Sequence, residues 1–230
     1  MIILFLSTGL MVNRVSAQAA AQPAPDVEET TEQQFTDLLK QVWSVLKVEM
    51  EKYQAAISNR SEFETSGEFG RRATDAKRQM LEKFVRYSRE HKLHERVFSV
   101  PFKAVLKSYN PESQVYSVLS GTTIQAPYNI PVVESVVPNN PYLALADSVT
   151  KGYRTSNLYL RFRPDFKWRV ERGNAQVAKA EEAEVFFRVH VKIDIESPDI
   201  KDVARLKIVP KRIVLVNQKD SQTYWQQAIL

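Results

Sequence analysis

Apolar and polar residues alternate without interruption between positions 187 and 195, within the segment 185–195. Apolar side chains occupy every odd position, and the even positions from 188 onward hold Arg188, His190, Lys192 and Asp194. A period of two is typical of a strand that buries one face and exposes the other. The segment therefore predicts an antiparallel strand with a solvated, mostly basic outer face.

Other segments with the same period predict about six or seven short strands in all. They lie at residues 102–109, 115–119, 158–163, 166–170, 185–195 and 203–217, the last interrupted at Pro210, with a further edge strand at 221–225. Asn110 and Pro111 are typical of the first two positions of a type I turn, so they join the first two strands in a hairpin. Strands at this spacing favour a small antiparallel barrel or sandwich.

The N-terminal part of the chain shows helical periodicity instead. Thr30 or Thr31 can cap a first helix, and Gln33 or Gln34 can complete a capping box. The apolar stripe that follows has a spacing of three and four and consists of Phe35, Leu39, Trp43, Leu46, Met50, Tyr53 and Ile57. It predicts a helix of about 25 residues that ends before Asn59.

A second amphipathic helix is predicted from a cap at Thr74 or Asp75 to residues 91–93, after a loop at 61–70 that contains two glycines. The first helix is rich in acidic residues and the second in basic residues. Two such helices joined by a short loop favour an antiparallel hairpin. Surface ion pairs contribute only about 0–1 kcal/mol each, so apolar burial must hold the hairpin together.

The predicted fold class is α+β, with an N-terminal antiparallel two-helix hairpin followed by a small antiparallel β-barrel or sandwich. The predicted organisation is a signal peptide and linker at 1–25, the helical hairpin at 26–95 and the β-domain at 96–230. Residues 123–153 form a proline-rich insertion, in which Asn140 and Pro141 begin a short helix at 142–149. Residues 173–184 form a polar connection with helical character at 176–184.

The first twelve residues, MIILFLSTGLMV, form an apolar run, and Val15-Ser16-Ala17 has the small-residue spacing of a signal-peptidase site. The run is too short to span a membrane. We therefore expect a periplasmic or secreted protein with no transmembrane span in the mature chain. No Lys or Arg precedes the run, so an uncleaved anchor or an unstructured tail is the alternative. The absence of cysteine excludes disulfides, thiolate metal sites and cysteine nucleophiles.

The chain has 32 Lys and Arg against 27 Asp and Glu, a formal net charge of +5. If the strands lie side by side, their outward basic positions form one cationic face that binds an acidic protein or an anionic envelope polymer. The expected binding residues are Lys103, Lys107, Tyr159, Arg161, Arg163, Lys167, Arg169, Arg188, Lys192, Arg205 and Lys207. The alternative is that these charges only keep the strand exteriors soluble.

Motifs for catalysis and metal binding are weak. Ser148 and Lys151 have the Ser-x-x-Lys spacing of serine acyl-enzymes, in which the lysine lies one helical turn from the serine. The same spacing also occurs at Ser44, on the first predicted helix. His91 and His94 lie three residues apart at a helix end, where the helix dipole explains them as well as a metal does. We expect no catalytic residue, no metal and no cofactor.

The leading hypothesis is an exported, non-catalytic binding or scaffold protein of the cell envelope. One alternative is a hydrolase or transferase with a site near the proline-rich segment. Another is an intracellular nucleic-acid-binding protein, which requires that the N-terminal run is retained, because an exported protein seldom meets nucleic acid. The oligomeric state has no signature in the sequence.

Overall fold

The computed structural model describes residues 27–121, 123–125, 132–134, 143–150, 153–162, 166–196 and 205–229. The predicted signal peptide and linker at 1–25 lie outside the described residues. The described part of the chain is an α+β fold with a two-helix hairpin followed by a curled, mainly antiparallel sheet. This confirms the predicted fold class.

The elements of the described residues follow one another in this order: β1 Val27–Glu29, α1 Glu32–Ser58, α2 Ser66–Glu90, β2 Val97–Asn110, β3 Val115–Ser120, β4 Thr123–Gln125, β5 Val132–Glu134, β6 Leu143–Thr150, β7 Tyr153–Leu160, β8 Phe166–Arg169, α3 Arg172–Ala180, β9 Val185–Glu196, β10 Arg205–Asn217 and β11 Thr223–Ala228. A single 3-10 turn at Glu182–Glu184 leads from α3 into β9.

Both helices of the hairpin begin with a capping box. In α1, Gln34 N donates to Thr31 Oγ1 over 3.1 Å and Thr31 N donates to Gln34 Oε1 over 2.8 Å. Thr31, one of the two predicted candidates, is the cap, and α1 ends at Ser58 after 27 residues. The predicted cap and the predicted end before Asn59 are therefore confirmed. In α2, Thr65 and Glu68 make the same pair of bonds.

The predicted cap of the second helix at Thr74 or Asp75 is wrong, because the cap is Thr65, nine or ten residues earlier, and α2 begins at Ser66. The Thr65 box supplies partners for the first backbone N–H groups. Arg72 then pairs with Glu64 over 2.7 Å and donates to Asn59 O over 3.0 Å, which fastens the helix start to the preceding loop. These contacts outweigh the unfavourable helix propensity of the two glycines in the first turns.

Neighbouring strands of the large sheet pair antiparallel in the order β11-β10-β9-β2-β3-β8. β1 pairs in parallel with the start of β2, and β5 pairs in parallel with β10. The predicted hairpin is present, and Asn110 Oδ1 accepts from Glu112 N and Ser113 N in its turn. The predicted last strand is confirmed at the sheet edge as β11.

The sheet curls into a half-barrel, and side chains from its two ends meet inside it. β8 and β11 are the terminal strands of the order, yet ring centroids of Phe166 and Trp225 lie 4.5 Å apart and those of Trp168 and Tyr224 lie 4.9 Å apart. Phe166 also lies 5.4 Å from Phe187 on the central strand β9. The inward aromatic residues therefore form the core, as their position in the alternation predicts.

The hairpin packs against the interior side of the sheet near the start of β2. Phe35 of α1 is fully buried, and its ring centroid lies 6.3 Å from that of Phe98. The other buried residues of the hairpin are Leu39, Val42, Leu46, Met80 and Phe84. None of the helices in the described ranges carries an apolar stretch sufficient to cross a bilayer.

The helix predicted at 142–149 is wrong, because residues Leu143–Thr150 form strand β6. β6 pairs with β7 along its whole length, from Leu143↔Leu160 to Thr150↔Tyr153. β4 pairs with the other side of β7, and the three strands form a separate sheet. A cap signal such as Asn140-Pro141 is local, whereas pairing with β7 along its whole length provides partners for the backbone groups of β6 that face β7.

The helical character predicted at 176–184 is present as α3, but α3 begins at Arg172 and ends at Ala180, four residues earlier than expected at each end. Ala175 and Ala178 are its buried residues. Asn217 of β10 is fully buried, and its Nδ2 donates to Glu181 Oε2 over 2.6 Å. This contact holds the end of α3 against the turn between β10 and β11.

Candidate functional site

The strand registers determine which side chains share the convex side of the half-barrel. Val100, Val189 and Ile213 lie side by side on β2, β9 and β10 and are fully buried in the core. On each strand, the residues next to these buried ones point to the opposite, convex side of the sheet. We call this set of side chains the outer face. Around the middle of β9 it consists of Ser99, Lys103, Arg188, His190, Lys192, Lys207 and Arg212.

Glu29, Ser99, His190 and Arg212 form one row across four neighbouring strands. The registers pair Glu29 with Ser99, Ser99 with His190, and His190 with Arg212. Side chains directly opposite each other on paired strands have Cβ atoms about 4.5–5.5 Å apart. The row therefore brings an acid, a hydroxyl, an imidazole and a guanidinium together.

Arg212 joins this row because the pairing of β10 with β9 shifts between Pro210 and Arg212. Without the extra residue, Lys211 would lie opposite His190 and Arg212 would point into the core. A β-bulge reverses the facing of all later residues in a strand, and proline is tolerated at such an irregularity. The bulge thus places a second arginine beside Arg188.

A groove of approximately 450 Å³ lies along the row and extends towards β11. Its charged residues are Glu29, Arg188, His190 and Arg212. The remaining lining residues are the apolar Val214 and Val216 and the polar Gln218, Ser221, Thr223 and Gln226. The volume falls in the range of about 300–1,000 Å³ that small-ligand sites occupy.

The two arginines of the groove have different partners. Arg188 forms an ion pair with Glu29 over 2.5 Å and lies 3.4 Å from the carbonyl oxygen of Thr30. Arg212 donates to the side-chain oxygen of Gln226, a neutral acceptor. Among the described residues, Arg212 has no carboxylate within ion-pair distance. One arginine of the groove is therefore neutralised and the other is not.

Burial lowers the pKa of His190 below its ordinary value, and the positive charge of Arg212 lowers it further. Arg188 acts in the same direction, whereas the Glu29 carboxylate raises the pKa. His190 is consequently neutral near pH 7. The groove then carries two positive charges from its arginines and one negative charge from Glu29.

Ser99 lies beneath the groove between Glu29 and His190. Its side chain is fully buried, and its Oγ has no hydrogen-bond partner among the described residues. The nearby Thr30 satisfies the Ser99 carbonyl oxygen with both its N–H, over 3.1 Å, and its Oγ1, over 2.7 Å. An unpaired buried hydroxyl costs about 1–3 kcal/mol, so its presence needs a reason.

Lys103 lies on the outer face, but it is bound within the protein. Its Nζ donates to the carbonyl oxygens of Glu182, over 2.7 Å, and Ala183, and lies 4.5 Å from the centroid of the Phe186 ring. Burial lowers the pKa of Lys103. This lysine anchors the 3-10 turn.

Lys167 and Arg169 are exposed on β8, where the registers pair them with Ser117 and Val115 of β3. Lys167 Nζ donates to Ser117 Oγ over 2.6 Å. β8 lies three strand spacings from β9, which is about 14 Å along the curled sheet. Lys107 is exposed near the irregularity between Leu106 and Tyr109. These three residues lie away from the groove.

Lys192 and Lys207 lie beyond the groove on β9 and β10. Lys192 is paired with Val209, and Lys207 is directly opposite Asp194, so an acid accompanies the second lysine. Arg205 lies two residues before Lys207, opposite Glu196, and only its backbone position is described. The structure therefore brings Arg188, Lys192 and Lys207 onto one region of the outer face.

The remaining predicted residues do not share the large sheet. Tyr159 belongs to β7 of the separate three-stranded sheet, and only its backbone position is described. Arg161 is exposed just after β7, and Arg163 lies outside the described residues. The condition that all the basic strands lie side by side is not met by the strand at 158–163, because β7 pairs with β4 and β6 in the separate sheet.

Sequence reasoning did not single out Glu29, Ser99 or Arg212, three members of the row across β1, β2, β9 and β10. Ser99 carried a signal, since it is a polar residue within the apolar run Val97–Val100. For Arg212 the signal was weaker. Pro210 indicates an irregularity in the strand pairing, but it does not tell which side of the sheet the later residues face. Glu29 carried none, because its position depends on the parallel pairing of β1 with a strand far along the chain.

The helical spacing assumed for Ser148 and Lys151 is absent. Ser148 lies in strand β6, and Lys151 lies outside the described residues. Within the described ranges, no group of three or more His, Asp or Glu side chains is placed to hold a metal ion.

Comparisons with protein-family models, with curated protein sequences and with solved structures found no match to this chain. The outer face and its groove are therefore the basis for a functional assignment.

Proposed function

We propose that the protein is an exported, non-catalytic binding or scaffold protein of the cell envelope. It holds an acidic protein or an anionic envelope polymer on its outer face. The observation that carries this proposal is the common facing of Arg188, Lys192, Lys207 and Arg212 on two adjacent strands.

The electrostatic argument depends on the spacing of these charges. Alternate residues of a strand are about 7 Å apart and neighbouring strands about 4.8 Å apart. Arg212 lies diagonally across from Arg188 and from Lys192, and Lys207 lies diagonally across from Lys192. These neighbours are therefore about 8 Å apart, which equals the Debye length of about 8 Å at physiological ionic strength, so their positive potentials overlap. Glu29 and Asp194 reduce the total without cancelling it. A multiply charged anion is the complementary ligand.

Export is supported by the apolar N-terminal run and by the small residues of Val15-Ser16-Ala17. N-terminal sequencing of the protein recovered from its native compartment tests this part of the proposal. We expect a mature chain whose first residue lies between Gln18 and Pro25. A mature chain that still starts at Met1 contradicts export.

Charge reversal tests the binding role. The double variant Lys192→Glu and Lys207→Glu should lose salt-sensitive binding to immobilised poly-L-glutamate, because two attractive charges become repulsive. The matched control is Lys83→Glu with Arg86→Glu, two exposed basic residues of α2. Equal retention of all three proteins on the polymer at every salt concentration contradicts the proposal. Circular dichroism of each variant verifies that its fold is intact.

A further inference from the structure

The groove combines a basic side with an apolar and a neutral polar side. Arg212 and His190 lie next to each other at one side, and Val214 and Val216 continue along β10. The rim residues Thr223 and Gln226 belong to β11 and offer a hydroxyl and an amide. A ligand that fits must therefore have one anionic group and an uncharged body with hydrogen-bonding groups.

We propose that the groove binds the side-chain carboxylate of an acidic peptide between Arg212 and His190. The inference rests on the proposed function and narrows it from a whole face to one anchoring site. The body of the peptide lies over Val214 and Val216, with its backbone amides paired to Thr223 and Gln226.

The charge of the groove favours a carboxylate over a phosphate. Arg188 and Arg212 contribute two positive charges and Glu29 one negative charge, which leaves a single net positive charge when His190 is neutral. A carboxylate has a single negative charge, whereas a phosphate monoester has between one and two near pH 7. A guanidinium whose present partner is a neutral amide can exchange it for a carboxylate, which forms the stronger, charge-assisted bond.

The aromatic residues favour a peptide over a single-stranded nucleic acid. Nucleic-acid grooves of this kind stack bases on aromatic rings. Among the described lining residues of the groove no ring is aromatic other than the imidazole of His190. Trp168, Tyr224 and Trp225 instead contact one another or Phe166 inside the half-barrel.

Ser99 supplies the second, independent observation. Its unpartnered hydroxyl lies directly opposite His190 in the register. When the imidazole is protonated it has two N–H donors. One can donate to Ser99 Oγ and the other to the bound carboxylate. The buried hydroxyl is then satisfied in the bound, protonated state and unsatisfied in the empty one.

Binding of the carboxylate and protonation of His190 therefore support each other. The groups that face the imidazole are Glu29 of β1, Ser99 of β2, Arg188 of its own strand and Arg212 of β10. A bound anion opposes the effect of the arginines, so it favours the imidazolium. By linkage, the affinity for the anion must rise as the pH falls through the His190 titration, until the carboxylate itself is protonated.

The experiment uses the full chain and a short poly-L-glutamate peptide, with poly-L-glutamine, inorganic phosphate and oligodeoxythymidylate as comparison ligands. We expect binding of poly-L-glutamate that strengthens from about pH 7.5 to about pH 5.5. Arg212→Gln should weaken it about tenfold or more, since it removes a charge-assisted bond. Arg169 lies on β8, four strand spacings from β10 and so about 19 Å from Arg212 along the sheet. The matched control Arg169→Gln should therefore change the affinity by no more than about twofold because of screening.

Three further readouts separate the groove from the face as a whole. His190→Gln should remove the pH dependence, and the NMR titration of His190 should move to higher pH when the peptide is bound. Ser99→Ala should reduce that movement. Equal effects of Arg212→Gln and Arg169→Gln on the affinity for poly-L-glutamate contradict the anchoring site in the groove. They do not contradict the proposed binding by the outer face. No salt-sensitive binding of poly-L-glutamate overturns both. Stronger binding of phosphate or oligodeoxythymidylate than of poly-L-glutamate overturns the assigned ligand.

Discussion

Replacing Glu29 with glutamine should increase the affinity of the protein for acidic peptides. The Glu29 carboxylate forms an ion pair with Arg188 over 2.5 Å and places a negative charge at one end of the groove. Glutamine keeps the length of the side chain and removes that charge. Arg188 then becomes available to the ligand, and the net charge of the groove rises by one.

The size of the effect follows from Coulomb's law. The ligand carboxylate between His190 and Arg212 lies two to three strand spacings from Glu29, or about 12 Å. The repulsion at that distance is about 0.35 kcal/mol at the dielectric constant of water and about 1.4 kcal/mol at an effective value of 20. These energies correspond to about twofold and about tenfold in affinity. The Glu29 side chain is 64% exposed, so screening is strong and we expect about twofold to threefold. The cost in stability should be at most about 1 kcal/mol, as for other exposed ion pairs.

Glu28→Gln is the matched control, because Glu28 is the neighbouring residue of the same strand. Its carboxylate pairs with Arg96 over 2.6 Å, and it does not line the groove. Titration calorimetry with poly-L-glutamate at low salt measures both affinities, and urea unfolding measures both stabilities. A gain for Glu29→Gln that Glu28→Gln does not share supports the argument. Equal affinities for the two variants, or a lower affinity for Glu29→Gln, would refute it.

The remaining predictions concern stability. The lowered pKa of His190 means that the unfolded chain binds a proton at higher pH than the folded chain. The urea midpoint of the native protein should therefore fall relative to that of His190→Gln as the pH drops through about 6.5, and a constant difference would contradict this. A Cβ added at Gly121 would lie 2.7 Å from Val105 Cγ2. A Cβ added at Gly70 would have no described atom within 4 Å apart from its chain neighbours and the nearby backbone of its own helix. Gly121→Ala should thus destabilise the protein by about 1–3 kcal/mol, and Gly70→Ala in the helix should stabilise it by about 0.5–1 kcal/mol; thermal unfolding in which both variants shift in the same direction would contradict that reasoning.

Local signals in the chain are sufficient for several elements. The alternation at 185–195 predicts β9 and the facing of Arg188, His190 and Lys192, because successive side chains of any strand point to opposite sides. Thr31 and Gln34 predict the start of α1, since both capping bonds join residues three positions apart. Asn110 predicts the turn between β2 and β3 for the same reason.

Local signals fail where two arrangements satisfy the same short segment. Asn140 and Pro141 indicate a helix start, yet the residues after them extend as β6 along β7. Thr65 and Glu68 form as good a capping box as Thr31 and Gln34, and the glycines nearby obscured it. For β6 the deciding partner is a neighbouring segment. For α2 it is the local capping box, supported by the contacts of Arg72 with Glu64 and Asn59.

The sequence by itself determined the class of the protein, the periodic faces of its strands and the basic character of their outer side. Only the tertiary structure decided which of those charges meet. Glu29 and Arg188 are 159 positions apart, and their contact requires that β1 pairs with β2 and β2 with β9. Arg212 faces His190 because of one shifted residue in β10. Backbone hydrogen bonds are alike in every register, so the choice among registers depends on burying all inward side chains at once, which no single segment contains.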